Sequence, residues 1–143
     1  MKYTFTLPGN PIPLARARIK SNLFFSKSTK RMWDPQKELK VLTAITLTNQ
    51  FEELGIKLGS IPFDEPVHLD VVFYMPIAKT SVKKTKSLSG TYHIKRPDLS
   101  NMLKFIEDAC TGVLYKDDSL IASVTVKKIY DTEPKTVFTI YNI

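Results

Sequence analysis

Three aspartates and a lysine mark the stretch RPDLSNMLKFIEDACTGVLYKDDSLI, residues 96–121. Asp98 opens it, the pair Asp117–Asp118 closes it, and Lys104 stands between them. Converging carboxylates repel one another and raise each other's pKa, so such a cluster usually needs a cation. Carboxylate oxygens and water are what Mg²⁺ prefers. A magnesium-bound water attacks phosphodiesters, and the cation also stabilises charge on the phosphoryl oxygens. A nearby lysine neutralises the same charge or assists the leaving oxygen. Metal-assisted phosphodiester hydrolysis is therefore the chemistry these residue types serve. Asp98, Asp118 and Asp117 are the candidate ligands, and Lys104 is the candidate catalytic lysine. Plainer roles exist for each: a helix N-cap for Asp98, a turn before a strand for Asp117–Asp118, and a solvated helix position for Lys104.

The elements around these residues decide whether they meet. Pro97 disfavours helical geometry at Arg96, so a helix starts after it. At about 100° per residue, Met102, Leu103, Ile106, Ala109 and Cys110 share a core face. Asn101, Lys104 and Asp108 stack on another face, with Glu107 at its margin. Thr111-Gly112 ends the helix, Val113-Leu114-Tyr115 is short and apolar, and Lys116-Asp117-Asp118 leads into a strand. This arrangement lets Asp98, at the helix entrance, approach Asp117 and Asp118, at the strand entrance.

Upstream, residues 2–7 alternate like a strand and Gly9–Pro13 reads as a turn or extended loop. An extended Ala15–Lys20 puts Arg16, Arg18 and Lys20 on one side, and Ser21-Asn22 turns it back into Leu23–Phe25 as a small hairpin. Asp34 as N-cap and Pro35 as first helical residue begin a helix. Its apolar positions are Leu39, Leu42, Ile45, Leu47, Phe51 and Leu54, and it ends at Gly55 or Gly59. Residues 67–75 form a strand with Leu69, Val71, Phe73 and Met75 on one face and His68 and Asp70 on the other. Residues 120–130 and 135–142 are expected to close the sheet as a hairpin turning at Asp131–Pro134. Between residues 77 and 95 runs a loop carrying Lys79, Lys83, Lys84, Lys86 and Lys95. Aperiodic loops of this length are usually functional or mobile. The expectation is one α+β domain over residues 1–143, with a mixed sheet and two main helices.

Composition narrows the partners. Lysine and arginine number 21 against 14 acidic residues, a net charge of +7 that suits a polyanion such as nucleic acid. With one cysteine, Cys110, and two histidines, a Cys/His zinc site is poorly supplied and no internal disulfide forms. Cys110 falls on the apolar helix face and reads as core rather than as a nucleophile. The five scattered glycines make no phosphate-cradling loop. The first residues lack the apolar run of a signal peptide, and no stretch is long enough to span a bilayer. A cytoplasmic protein away from membranes is expected.

The sequence resembles the RusA family of Holliday junction resolvases, particularly the phage and prophage members. That family carries K/R-P-D-x-D-N-x-x-K, then a helix, a short turn and D-D-S-x-I/V; here the residues are RPDLSNMLK and DDSLI. PGNPIPLARARI is similar to the family's G-x-P-x-x-x-x-R-x-R opening, and MPIAKTSVKKTKSLSG to its lysine-rich loop. The resemblance implies a homodimeric, Mg²⁺-dependent endonuclease of branched DNA, acting in recombination and repair. It matches Asp98 to the first acidic ligand, Asp118 to the later one, Asp117 to its acidic neighbour, Lys104 to the essential lysine and Asn101 to the motif asparagine. Arg16, Arg18, Lys83, Lys84, Lys86 and Arg96 would then grip phosphates without reading bases. Ser100 departs from the pattern, standing where the family typically has a second aspartate. A hydroxyl is a poor substitute for a carboxylate ligand, so water, Asp117 or Asp108 would fill the position. A disarmed, branched-DNA-binding descendant is the rival reading, and a basic scaffold that binds no nucleic acid is a third.

Overall fold

Val67–Pro76 has the most regular burial alternation in the chain, and the sheet is built around it. The computed structural model describes residues 1–15, 18–20, 31–78 and 85–143; side chains at 18–20, 31–33 and 85–86 are also left undescribed. In chain order the elements are β1 (Lys2–Pro8), β2 (Arg18–Lys20), β3 (Arg31–Trp33), α1 (Lys37–Thr48), α2 (Phe51–Leu54), β4 (Val67–Pro76), α3 (Thr85–Leu88), α4 (Leu99–Cys110), β5 (Ile121–Asp131) and β6 (Lys135–Asn142). A 3₁₀ turn, Asp118–Leu120, leads into β5. The main sheet has the order β1-β6-β4-β5, with β4 and β5 parallel and the other neighbours antiparallel. The molecule is thus α+β with a mixed sheet, as expected from the sequence. Among the described residues no helix is long and apolar enough to cross a membrane.

One expectation fails here. β5 and β6 do not form a hairpin: both pair with β4, from opposite sides. The link between them passes over the end of β4, where Asp131 accepts hydrogen bonds from the Glu133 N–H and the Thr132 hydroxyl. Burial explains the order. β4 buries Val67, Leu69, Val71, Phe73 and Met75, whereas β5 is mostly exposed and carries Ser123, Thr125, Lys127 and Lys128. The apolar strand takes the centre, and the polar, lysine-bearing strand takes the edge.

α1 and α4 cover one face of this sheet. Phe5, Leu69, Val71, Phe138 and Ile140 meet Leu47 from α1, Phe51 from α2 and Met102, Phe105, Ile106 and Ala109 from α4. Phe105 belongs to this core although it was not counted among the core positions of the helix. α1 also departs from expectation. Its N-cap is Gln36, not Asp34, and the helical run breaks after Thr48. Asp34 instead accepts a hydrogen bond from the Gln36 N–H and holds Lys40 at 2.8 Å. Leu47 and Phe51 are buried, but Leu39, Leu42 and Ile45 remain 40–58% exposed, so part of the apolar stripe faces outward. The β2 partner is Arg31–Trp33; the strand expected at Leu23–Phe25 lies outside the described residues. The long lysine loop is partly structured. It contains α3, and Thr91 and His93 make backbone hydrogen bonds to the β5 edge at Tyr130 and Lys128.

Gln36 ties the segment after β1 to α1. Its buried side chain accepts from the Ala15 N–H at 2.7 Å and donates to the Pro13 carbonyl at 2.8 Å. Gln36→Leu strands both backbone groups and is expected to cost about 2 kcal/mol. Urea unfolding would show a lower midpoint with an unchanged slope.

His93 supplies a pH dependence. Its ring is buried against Tyr130, and Nδ1 has no hydrogen-bond partner. Burial, then the charges of Lys128 and Lys95, hold its pKa below 6.5. As pH falls through 6.5 the unfolded chain takes up this proton while the folded one does not. Stability is therefore full above that pH and declines below it, until the folded pKa is reached. Melting midpoints between about pH 8 and about pH 5 should fall, and His93→Asn should flatten that part of the decline.

Candidate active site

α4 presents the lysine of the quoted stretch, and the turn after it presents two of the acids. The helix forms because Met102, Phe105, Ile106, Ala109 and Cys110 recur at helical spacing and are all buried. Cys110 is core, and burial raises its thiol pKa, so it is no nucleophile. After the helix, Gly112 adopts φ 84°, a left-handed conformation that favours glycine, and its N–H donates to the Tyr115 carbonyl. The fully buried Tyr115 sends its hydroxyl back to the Glu107 carbonyl at 2.7 Å. This fold-back returns Lys116–Asp118 alongside the second half of α4.

The acids and the lysine come together in part. Asp117 and Asp118 are neighbours, and each carboxyl shifts the titration of the other in opposite directions. Ser119 donates its hydroxyl to Asp117 at 3.0 Å, and that bond, then the neighbouring Asp118, holds Asp117 below the usual carboxylate range. Asp118, half-buried, is pushed upward, first by the adjoining Asp117 carboxyl, then by burial and by the charges of Asp117 and Asp108. Lys104 acts in the opposite direction on Asp118, so the lysine lies within electrostatic reach of the pair. Glu107 belongs to the same corner. Burial raises its pKa, Lys104 lowers it, and Asp118 and Asp108 raise it further. Sequence reading left Glu107 at the margin of this face; its i+3 spacing from Lys104 was the available signal.

Asp98 stands apart. It is the N-cap of α4 by backbone geometry, with its carbonyl accepting from Met102 N, but its side chain makes no cap hydrogen bond. The exposed carboxylate borders a cavity of about 710 Å³ lined also by Asn10, Pro13, Leu14, Arg96 and Asn101. Asp117 borders a different cavity, of about 380 Å³, with Asp64, Lys116 and Leu120. Among the described residues no three His, Cys, Asp or Glu side chains converge as a ready metal-binding group. Asp108 pairs with Lys40 at 3.8 Å, which in turn holds Asp34, so it braces α4 against α1. Ser100 is exposed on the first turn.

Lys128 was not foreseen. From β5 its ammonium donates to the Lys95 and Pro97 carbonyls at 2.6 and 2.8 Å, fixing the segment that enters α4. The Leu14 N–H donates to the Asn101 carbonyl at 2.9 Å, pinning the segment after β1 to the same turn. Of the expected phosphate contacts, Arg96 is exposed beside Asp98. Arg16, Lys83 and Lys84 lie outside the described residues, as do the side chains of Arg18 in β2 and Lys86 in α3.

A basic α+β domain with a carboxylate pair in electrostatic reach of a lysine is the outline of a phosphodiesterase. The chain belongs to the RusA family: a family model described as Endodeoxyribonuclease RusA matches residues 8–141. It is also similar to the "Uncharacterized protein YqaN" of Bacillus subtilis (strain 168), with 29% identity over 136 residues, covering 92% of this chain and 89% of that protein.

Proposed function

We propose that the chain is a magnesium-dependent endodeoxyribonuclease that resolves Holliday junctions during DNA recombination and repair. The observation that carries this reading is the Asp117–Asp118 pair within reach of Lys104, in a chain matched by the family over residues 8–141. Two neighbouring carboxylates suit a hard cation, since Mg²⁺ needs few protein ligands and keeps several waters. Asp118 would hold it, with Asp117 beside it and Asp98 joining from the α4 N-cap. Bound there, Mg²⁺ would supply a more acidic water and an electrophile for the phosphoryl oxygens. Lys104 would neutralise charge building on the phosphate. Arg96, with Arg16, Arg18, Lys83, Lys84 and Lys86, would grip backbone phosphates and position the branch without reading sequence. Paired cuts across a symmetric junction suit a two-fold homodimer with two such sites. The cytoplasm is the compartment this function requires.

Ser100 favours a second reading, a branched-DNA-binding protein impaired in catalysis. Single-turnover cleavage of a synthetic four-way junction across a Mg²⁺ titration separates the two. Wild type is expected to cut, and Ser100→Asp to saturate at lower Mg²⁺ because an added carboxylate strengthens a hard-cation site. A wild type that binds the junction and never cuts, with Ser100→Asp cutting, would establish the impaired reading. No cutting by either, at any Mg²⁺ concentration, would overturn the nuclease proposal.

A further inference from the structure

The sheet has a second face. Strand residues alternate sides, so the face opposite α1 and α4 carries His68, Asp70, Val72 and Tyr74 from β4 and their neighbours in register. Every position on it is at least partly exposed. Its residues are not those of an idle solvent face. At one end Tyr141 lies across from His68, with ring centroids 5.0 Å apart, and the Lys2 ammonium sits 5.4 Å above the Tyr141 ring. The His68 ring is fixed by a 2.8 Å hydrogen bond between Nδ1 and the Ser123 hydroxyl. At the other end Lys135 lies across from Tyr74, its ammonium 5.0 Å from the ring centroid. Between them, Lys127 stands beside Val72 on β5. The two aromatic stations are six residues apart on β4, about 20 Å.

We propose that this open face is a stacking platform for single-stranded DNA, distinct from the carboxylate corner and turned away from it. Unpaired bases stack on the Tyr74 and Tyr141–His68 rings while Lys2, Lys127 and Lys135 take the phosphates. Flat rings offer every base a π-face, and cations between them follow the backbone, which is the chemistry of sequence-tolerant single-strand binding. Four-stranded sheets hold unpaired bases through aromatics on an open face in this way. Charge selects the occupant. Lys2, Lys127 and Lys135 stand against two acids on this face, Asp70 and, at its end, Asp131, so the grid stays cationic and fits a polyanion better than a second copy of itself. The lysines over the tyrosines occupy the ring faces until a base displaces them. A branch point exposes such bases, so the face would hold a strand that the duplex-gripping residues do not.

The test is fluorescence anisotropy of labelled oligo(dT) of about 15 nucleotides, with the full chain and EDTA present so that nothing is cut. Wild type should bind. Tyr74→Ala and Tyr141→Ala should each weaken binding by about 5- to 100-fold, the range expected for one lost stack. Tyr74→Phe and Tyr141→Phe should keep the affinity, because stacking needs the ring and not the hydroxyl. Lys135→Gln should reduce the salt slope by about 0.7. Lys104→Ala should leave oligo(dT) binding unchanged, so failure here and failure of the nuclease reading are separable. As a check that needs no alanine variant to fold, 3-fluorotyrosine-labelled protein should show the Tyr74 and Tyr141 resonances moving on oligo(dT) addition, assigned by the phenylalanine variants. Absent binding, unmoved resonances, or unchanged affinity in the Tyr74→Ala/Tyr141→Ala double variant would overturn the proposal. So would a sedimentation result in which that double variant dissociates a dimer, since the face would then be an interface between copies.

Discussion

Asp118→Asn is expected to slow single-turnover cleavage of a four-way junction by about a thousandfold, the scale of losing several kcal/mol of transition-state charge stabilisation. Asp118 is the acid that the corner surrounds. It adjoins Asp117, feels Asp108, and has Lys104 opposing them. The amide keeps the shape and removes the charge that a cation would bind, so the domain should still fold and still bind junction DNA. Asp117→Asn should cost far less, about tenfold, because the Asp117 carboxylate is engaged by Ser119 and borders the neighbouring cavity. Equal losses in the two variants would mean that both oxygens reach the cation. No loss in Asp118→Asn, at saturating Mg²⁺, would remove this corner from the chemistry.

Lys104→Ala is the companion experiment. Its expected effect is a drop of about 100- to 1,000-fold in the cleavage rate, as for removal of one preorganised donor at a developing charge. Junction affinity should stay near wild type, because the interaction proposed for Lys104 grows only as charge develops on the phosphate. Gel-shift titration in EDTA reads affinity, and quenched-flow cleavage reads rate. A parallel loss of both would make Lys104 an ordinary phosphate contact. Lys104→Arg should recover part of the rate, since it restores the charge but not the compact ammonium.

Much of the fold was legible because its signals are local. Alternation in Val67–Met75 identified the central strand, and the apolar spacing in Met102–Cys110 identified α4 and its buried face. What misled was pairing. Residues 120–130 and 135–142, joined by a short turn, look like a hairpin, and nothing in either strand announces that a third will lie between them. The signal was composition: β5 has the polar, lysine-bearing pattern of an edge, while β4 needs cover on both sides. The apolar stripe of α1 misled for a related reason. Periodicity marks a stripe, but whether Leu39, Leu42 and Ile45 are covered depends on where the sheet ends. The candidate site was legible as a list of residues and less so as a geometry. Asp117 and Asp118 fold back toward Lys104, Glu107 and Asp108 of α4, whereas Asp98 caps the N-terminus of that helix. Spacing along a chain cannot say which way the turn at Gly112 folds the following segment. Lys128 and Gln36 carried no signal at all, since their roles are to hold backbone carbonyls of distant segments.

The position of β6 has a consequence for synthesis. It pairs with β1 on one side and β4 on the other, so the strand of this sheet that comes latest in chain order joins the earliest one to the rest. Residues 2–8 wait for residues 135–141 before they have any partner in the sheet. A growing chain can form α1 and α4 by local contacts, but it cannot complete this sheet on the ribosome until β6 has emerged. A chain that stops before β6 leaves β1 and one side of β4 as unpaired edges, and such edges are prone to aggregate.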